Sequence, residues 1–141
     1  MCLLLRTPSL DFHSTQPITS SLINESYIDD HHIFPKAYLQ ENPPNNIHLE
    51  DNEIDCILNR TLIDKETNQR IGKNPPSIYL NDIRDQLREH SGDPGVLERI
   101  LASHQMPSGS DSPLWRDDFL GFLKSRERLL TFLVQQATTN G

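Results

Sequence analysis

The sequence predicts an α+β fold in which two short strands and a short helix come first and helices follow. Three observations predict it. Residues 56–63 are a compact run rich in apolar and β-branched residues, which is a strand signal, and residues 27–34 suit another strand ended by Pro35. Residues 64–72 offer Asp64 or Thr67 as a cap and Gly72 as a stop, the marks of a short helix. Beyond Asn74-Pro75-Pro76, apolar residues recur at helical spacing to the end of the chain. The order is strand, long inter-strand loop, strand, helix, then about three packing helices.

Taken in order, residues 1–26 are Ser/Thr-rich and weakly patterned. They read as a lead-in, the end of a preceding region, with one short element at most. The run from Met1 into Cys2–Leu5 has no cap or turn before it, as expected of a chain entered partway through a larger protein. Residues 27–34 form the first strand, ended by Pro35. Residues 40–53 read as a long polar loop, of the kind that is functional or disordered in compact domains. Residues 56–63 form the second strand, which carries Asn59. Ser77 is expected to cap a helix presenting Leu80, Ile83 and Leu87 on one face. Asp93-Pro94 suits the start of another, with Leu97, Ile100 and Leu101. Residues 104–111 read as a flexible linker. Ser112-Pro113 then opens the longest helix, whose stripe of Trp115, Phe119, Phe122, Leu123, Leu130 and Leu133 is a packing face. The divisions are 1–26, a core over 27–80 and a helical C-terminal extension over 81–141.

Composition narrows the classes. The 141 residues suit one modest domain, and 35% apolar residues with ten prolines predict a small core and much loop. A net charge of −7 argues against coating nucleic acid by charge alone, but not against local phosphate contact through a bound cation. Cys2 and Cys56 have no CxxC spacing and make neither a zinc knuckle nor a disulfide framework, so a reducing cytoplasm is expected. No stretch reaches the roughly 18 apolar residues of a membrane span, and no secretory signal is evident.

Two adjacent histidines, His31 and His32, stand between Asp29-Asp30 and Ile33-Phe34-Pro35. Alone, such a pair fits a solvated or core position at a strand end. Imidazole is also a metal ligand and titrates near neutral pH, so the cluster is a candidate for proton and metal chemistry. Asn59 on the second strand and Asn68 on the short helix supply further polar groups. Adjacent strand residues point to opposite faces, so both histidines can serve one site only if the strand bends there.

The segments HHIFP at 31–35, NRTLI at 59–63 and TNQRIG at 67–72, in strand–loop–strand–helix order, resemble the HNH (ββα-metal, His-Me finger) endonuclease family. The resemblance covers residues 27–80. With PPSIYL at 75–80 and WRDDFLGFLKSRERLL at 115–130, it is nearest to the C-terminal nuclease domain of GmrSD-type modification-dependent restriction enzymes. It implies that His32 is the general base, that Asn59 holds the inter-strand loop and orients that base, and that His31 and Asn68 ligate one divalent cation. Mg2+ is expected first, with Mn2+, Ni2+ or Zn2+ admitted because His31 stands where many relatives carry Asp. Asp30 is then an alternative ligand, whereas a structural zinc on His31, His32 and Cys56 lacks a fourth partner. Lys36, Arg60, Lys65, Arg70 and Lys73 are candidate contacts to DNA phosphates, or ordinary surface charges. His13, His48, His90 and His104 read as surface residues.

The resemblance therefore implies a metal-dependent DNA endonuclease domain, acting in restriction of foreign or modified DNA. The implied partners are DNA and either a separate NTPase-like subunit or a second copy. The alternative is an inactive or partner-dependent remnant serving as an interaction subunit.

Overall fold

The computed structural model describes residues 9–25 and 27–139. The apolar run at Cys2–Leu5 lies outside them. The architecture is α+β, with one two-stranded antiparallel sheet among helices. In chain order the elements are α1 (Ser20–Asn24), β1 (Ile28–His32), α2 (Lys36–Glu41), α3 (Asp51–Ile54), β2 (Arg60–Asp64), α4 (Lys65–Ile71), α5 (Pro76–Ser91), α6 (Val96–Ser103) and α7 (Phe119–Thr139). β1 and β2 pair from Ile28 opposite Asp64 to His32 opposite Arg60.

The strands are shorter than their apolar runs, for a local reason. Residues 57–59 close a 3-10 turn, so Asn59 sits in that turn rather than in the strand. Within β2 only Thr61 and Ile63 are buried, the alternation of a strand packed on one face. Asp64 ends the strand and caps α4, its side chain accepting from the Glu66 N–H, and Gly72 closes that helix with a positive φ. The expected polar loop holds two short helices: Leu39 of α2 and Ile54 of α3 are buried, which ties down its ends.

Three helical boundaries differ from expectation. Pro75, not Ser77, is the first residue before α5; Asp117 caps from a distance, accepting from the Ser77 N–H at 2.9 Å and from its hydroxyl at 2.6 Å. This helix crosses the expected division at 80/81. Asp93 caps the Gly95 N–H at 2.8 Å, so α6 starts only at Val96. Ser112-Pro113 opens a 3-10 turn instead of α7, and left-handed Asp117 separates the two.

The core explains why residues 104–111 are not a free linker: His104 and Met106 are buried in it, so His104 is not a surface residue. The lead-in is likewise integral, since Phe12 is fully buried. It packs with Ile33, Phe34, Leu39, Ile63, Leu80, Ile100 and Phe122 in one cluster that joins the sheet to α5, α6 and α7. No described helix is long and apolar enough to cross a membrane.

Candidate active site

Strand alternation holds through the histidine pair. His31 is 3% exposed and shares the covered face with Thr61, its partner across the ladder. The His32 side chain is 30% exposed and leaves the other face. The bend anticipated after the strand comes at residues 33–34, too late to bring both rings together.

On the covered face, His31 Nδ1 lies 2.8 Å from Asn68 Oδ1, and Asn68 Nδ2 donates to Asp29 Oδ2 at 3.1 Å. The carboxylate fixes which end of the amide faces the ring. Asn68 Oδ1 can only accept, so His31 donates from Nδ1. The ring stands edge-on to Phe12 and Tyr79, and Nε2 is buried without a hydrogen bond. Burial pushes the His31 pKa down to about 4, while the bond to Asn68 pulls it the other way.

On the open face, His32 Nε2 lies 2.7 Å from Asp55 Oδ1. The carboxylate can only accept, so Nε2 carries the proton and a neutral ring keeps its Nδ1 lone pair. That hydrogen bond holds the Asp55 carboxyl below its usual range, and the charges of Lys36 and Arg60 act in the same direction. Lys36 pairs with Asp51 at 3.2 Å, and Arg60 pairs with Asp30. The half-open histidine is thus bordered by two cations.

Asn59 is fully buried and binds the chain on both sides of the loop. Its Oδ1 accepts from the Phe34 N–H at 2.8 Å, and its Nδ2 donates to the carbonyls of Phe34 at 3.1 Å and Ile54 at 3.0 Å. Tyr79 donates to the Ile33 carbonyl at 2.7 Å, pinning the same Ile-Phe-Pro bend from α5. From behind, Arg126 of α7 places Nη1 among the carbonyls of Ile57, Leu58 and Arg60, while Nη2 donates to that of His104. Asp11 joins β2 to α4, accepting from the Asp64 N–H at 2.7 Å and the Thr67 hydroxyl at 2.8 Å.

The structure therefore brings His31 and Asn68 into contact, and sets His32 apart with Asp55. Asn59 touches neither histidine side chain among its hydrogen bonds; it fixes the backbone between them. Asp30 is not beside Asn68, because it shares the open face with His32; Asp29, two residues from His31, is the acid that reaches the amide. Cys56 is a half-buried free thiol. Lys65, Arg70 and Lys73 make no ion pair among the described residues.

Asp29, Asp55, Asp11 and Arg126 were not foreseen as partners. Asp29 stands at i−2 from His31, which is a readable signal on a strand. Arg126 interrupts the apolar stripe of α7 four residues after Phe122, the mark of a buried cation. Asp55 and Asp11 carry no such mark, since their roles arise from contacts across 23 and 53 residues.

His31 Nδ1 and Asn68 Oδ1 stand at ligand-like spacing, but a cation would have to replace the Nδ1 proton between them, and Asp29 meets the other end of the amide. Ligands about 2.1 Å from an octahedral ion stand about 3 Å apart when adjacent, close to the observed 2.8 Å between Nδ1 and Oδ1. Among the described residues, no three His, Cys, Asp or Glu side chains form a metal-ready group. The amide oxygen of Asn68 would have to complete the set.

No known family profile matches the chain, and no solved structure gives a significant match. The chain is similar to a protein of Methanocaldococcus jannaschii called "Uncharacterized protein MJ0686", with 31% identity over 119 residues. That match covers 73% of this chain and 20% of the archaeal protein, so the chain spans about a fifth of its relative's length.

Proposed function

We propose that the chain carries a metal-dependent DNA endonuclease site of the HNH type, with His32 as general base. The observation that carries this reading is the His32–Asp55 pair. A partly exposed imidazole whose Nε2–H is held by a carboxylate keeps, in its neutral form, an Nδ1 lone pair suited to taking a proton from water. Lys36 and Arg60 beside it suit the phosphates of the scissile strand. Asn59 and Tyr79 hold the bend that follows His32 and keep the base in place. His31 and Asn68 would hold the cation, Mg2+ or Mn2+ in the first instance, and a site shared with His32 would then require the strand end to turn so that the two rings, which leave opposite faces, come to one side. When bound, the cation supplies charge against the phosphoryl oxygens and the leaving oxygen. The proposal extends to restriction of foreign DNA in the cytoplasm, alongside an NTPase-like subunit or a second copy.

Nicking of supercoiled plasmid with Mg2+ and then Mn2+ tests it, with EDTA, His32→Ala and Asp55→Asn as controls. Metal-dependent cleavage that His32→Ala abolishes and Asp55→Asn weakens is the expected result. Absence of cleavage by the folded protein with either metal would refute a self-sufficient nuclease. The burial of His31 favours a second reading, an inactive module in which the His31–Asn68–Asp29 chain is structural. Calorimetric titration with Mn2+ separates them: saturable binding lost in Asn68→Ala belongs to the first reading alone.

A further inference from the structure

The basic side chains that the site does not use are not scattered. A cleft of about 560 Å³ opens between the residue 10–15 loop, the end of α4, α5 and α6, a size typical of pockets for small organic ligands. Its floor is apolar: Leu10, Val96 and the edge of Leu87 face it, with Ile83 and Ile100 sealed in the core behind them. Its walls carry His13, Arg70, His90 and Arg99, and no carboxylate lines it. In a chain of net charge −7, two guanidinium groups and two imidazoles around an apolar floor make a wall without acidic side chains, with Asp93 pairing Arg99 at its edge.

Each wall group has a definite state. Arg99 is anchored by Asp93 at 2.6 Å, which leaves part of its guanidinium for another partner. His90 Nδ1 donates to the Gln86 carbonyl at 2.7 Å, which turns Nε2 away from its own helix. His13 is half-buried, and desolvation followed by the nearby Arg70 charge holds its pKa below the ordinary value. Arg70 has no acidic partner among the described residues, and it lies two positions beyond Asn68, about 200° around α4. It therefore faces away from the His31 cluster.

We infer that this cleft is a separate binding site for a small organic phosphate bearing a flat ring, of the nucleoside monophosphate class. Arg70 and Arg99 would take the phosphate, for which the planar guanidinium offers paired donors. The apolar floor would take the ring. The inference does not rest on the nuclease reading, because the cleft shares no residue with the His32–Asp55 pair or the His31 cluster.

Adenosine 5′-monophosphate is the probe, titrated into the full chain and followed by calorimetry and by amide shifts of residues 10–15 and 83–100. Saturable binding is expected, at least tenfold tighter than that of inorganic phosphate or of adenosine. Arg70→Glu should weaken it tenfold or more with no change in the melting curve, since the side chain is exposed. Lys73→Glu, the same change of charge three residues on and outside the cleft, should leave it intact. Absence of saturation, equal loss in both variants, or equal affinity for inorganic phosphate would each overturn the inference. Plasmid nicking by Arg99→Glu, a cleft substitution outside the candidate DNA contacts, unchanged from the parent, would keep this result distinct from that of the nuclease test.

Discussion

Arg126 offers the sharpest test of how the site is held. Its side chain is 0% exposed and has no carboxylate partner. Burial pushes its pKa down to about 10, so the charge persists at neutral pH. Four carbonyl oxygens compensate it: those of Ile57, Leu58 and Arg60 at 3.2, 3.0 and 2.6 Å from Nη1, and that of His104 at 3.0 Å from Nη2. Nη1 has two protons for three acceptors, so three strong bonds are shared among four oxygens. Each charge-assisted bond is worth about 1.5–3 kcal/mol, against several kcal/mol for desolvating the ion. Arg126→Leu removes the desolvation cost but leaves the carbonyls without donors, for a net loss of about 3–5 kcal/mol. Against a total stability of about 5–15 kcal/mol, that lowers the melting temperature by about 10 °C. Arg126→Lys keeps the charge with a single donor group and should fall between. Urea unfolding followed by circular dichroism measures all three proteins. A loss below about 1 kcal/mol in Arg126→Leu, or equal stability of the Lys variant and the parent, would refute the account.

Other outcomes follow from the same contacts. Asn59→Ala should cost about 2–4 kcal/mol by breaking three buried hydrogen bonds, and Asn59→Asp should cost more at pH 7, because a carboxylate would face the Phe34 and Ile54 carbonyls; chemical denaturation of the two variants decides. Asp11 is pushed up by burial but pulled further down by its bonds to Ser14, Asp64, Thr67 and His13, so its folded pKa lies below 3.8. Its stabilisation is present above that unfolded value and lost as pH falls through the folded one. Asp11→Asn should therefore lower the melting temperature at pH 7 and flatten the acid limb below about pH 4. His104 is the opposite case: burial lowers its pKa from 6.5 to about 4, so only the unfolded chain takes up a proton between those values. His104 should contribute a fall of about 2 kcal/mol from pH 7 to pH 5 and His31 a like one, so His104→Gln should remove about half of the slope; an unchanged slope would show that His104 is not among its sources.

The histidine cluster was legible because its residue types are rare together and lie close in sequence. His31 and Asn68 were expected to meet, and they do, because β2 leads straight into α4 and lays that helix over the hairpin. The separation of His32 from His31 was legible too, in the two-residue period of a strand, although a bend was expected to overcome it. Asp55 was not legible: its approach to His32, 23 positions earlier, depends on how the residues between them fold into α2, α3 and a 3-10 turn.

By itself the sequence determined what local rules control. The Asp64 cap and Gly72 stop fix α4, Pro35 ends the first strand region, and the apolar stripes fix which faces of α5 and α6 are covered, while in α7 the stripe is buried only at Phe119 and Phe122 and half-buried at Leu130 and Leu133. Only the tertiary structure decided which polar groups are buried and what they bind. Hydrophobic burial is non-directional and shows as a pattern, whereas a buried donor or acceptor is settled by one partner at hydrogen-bond distance, often far along the chain. That is why Arg126, whose stripe announces only that it is buried, finds its partner 66 residues back at the Arg60 carbonyl, and Asp11 finds its own 53 residues forward at the Asp64 N–H with no local pattern to announce it.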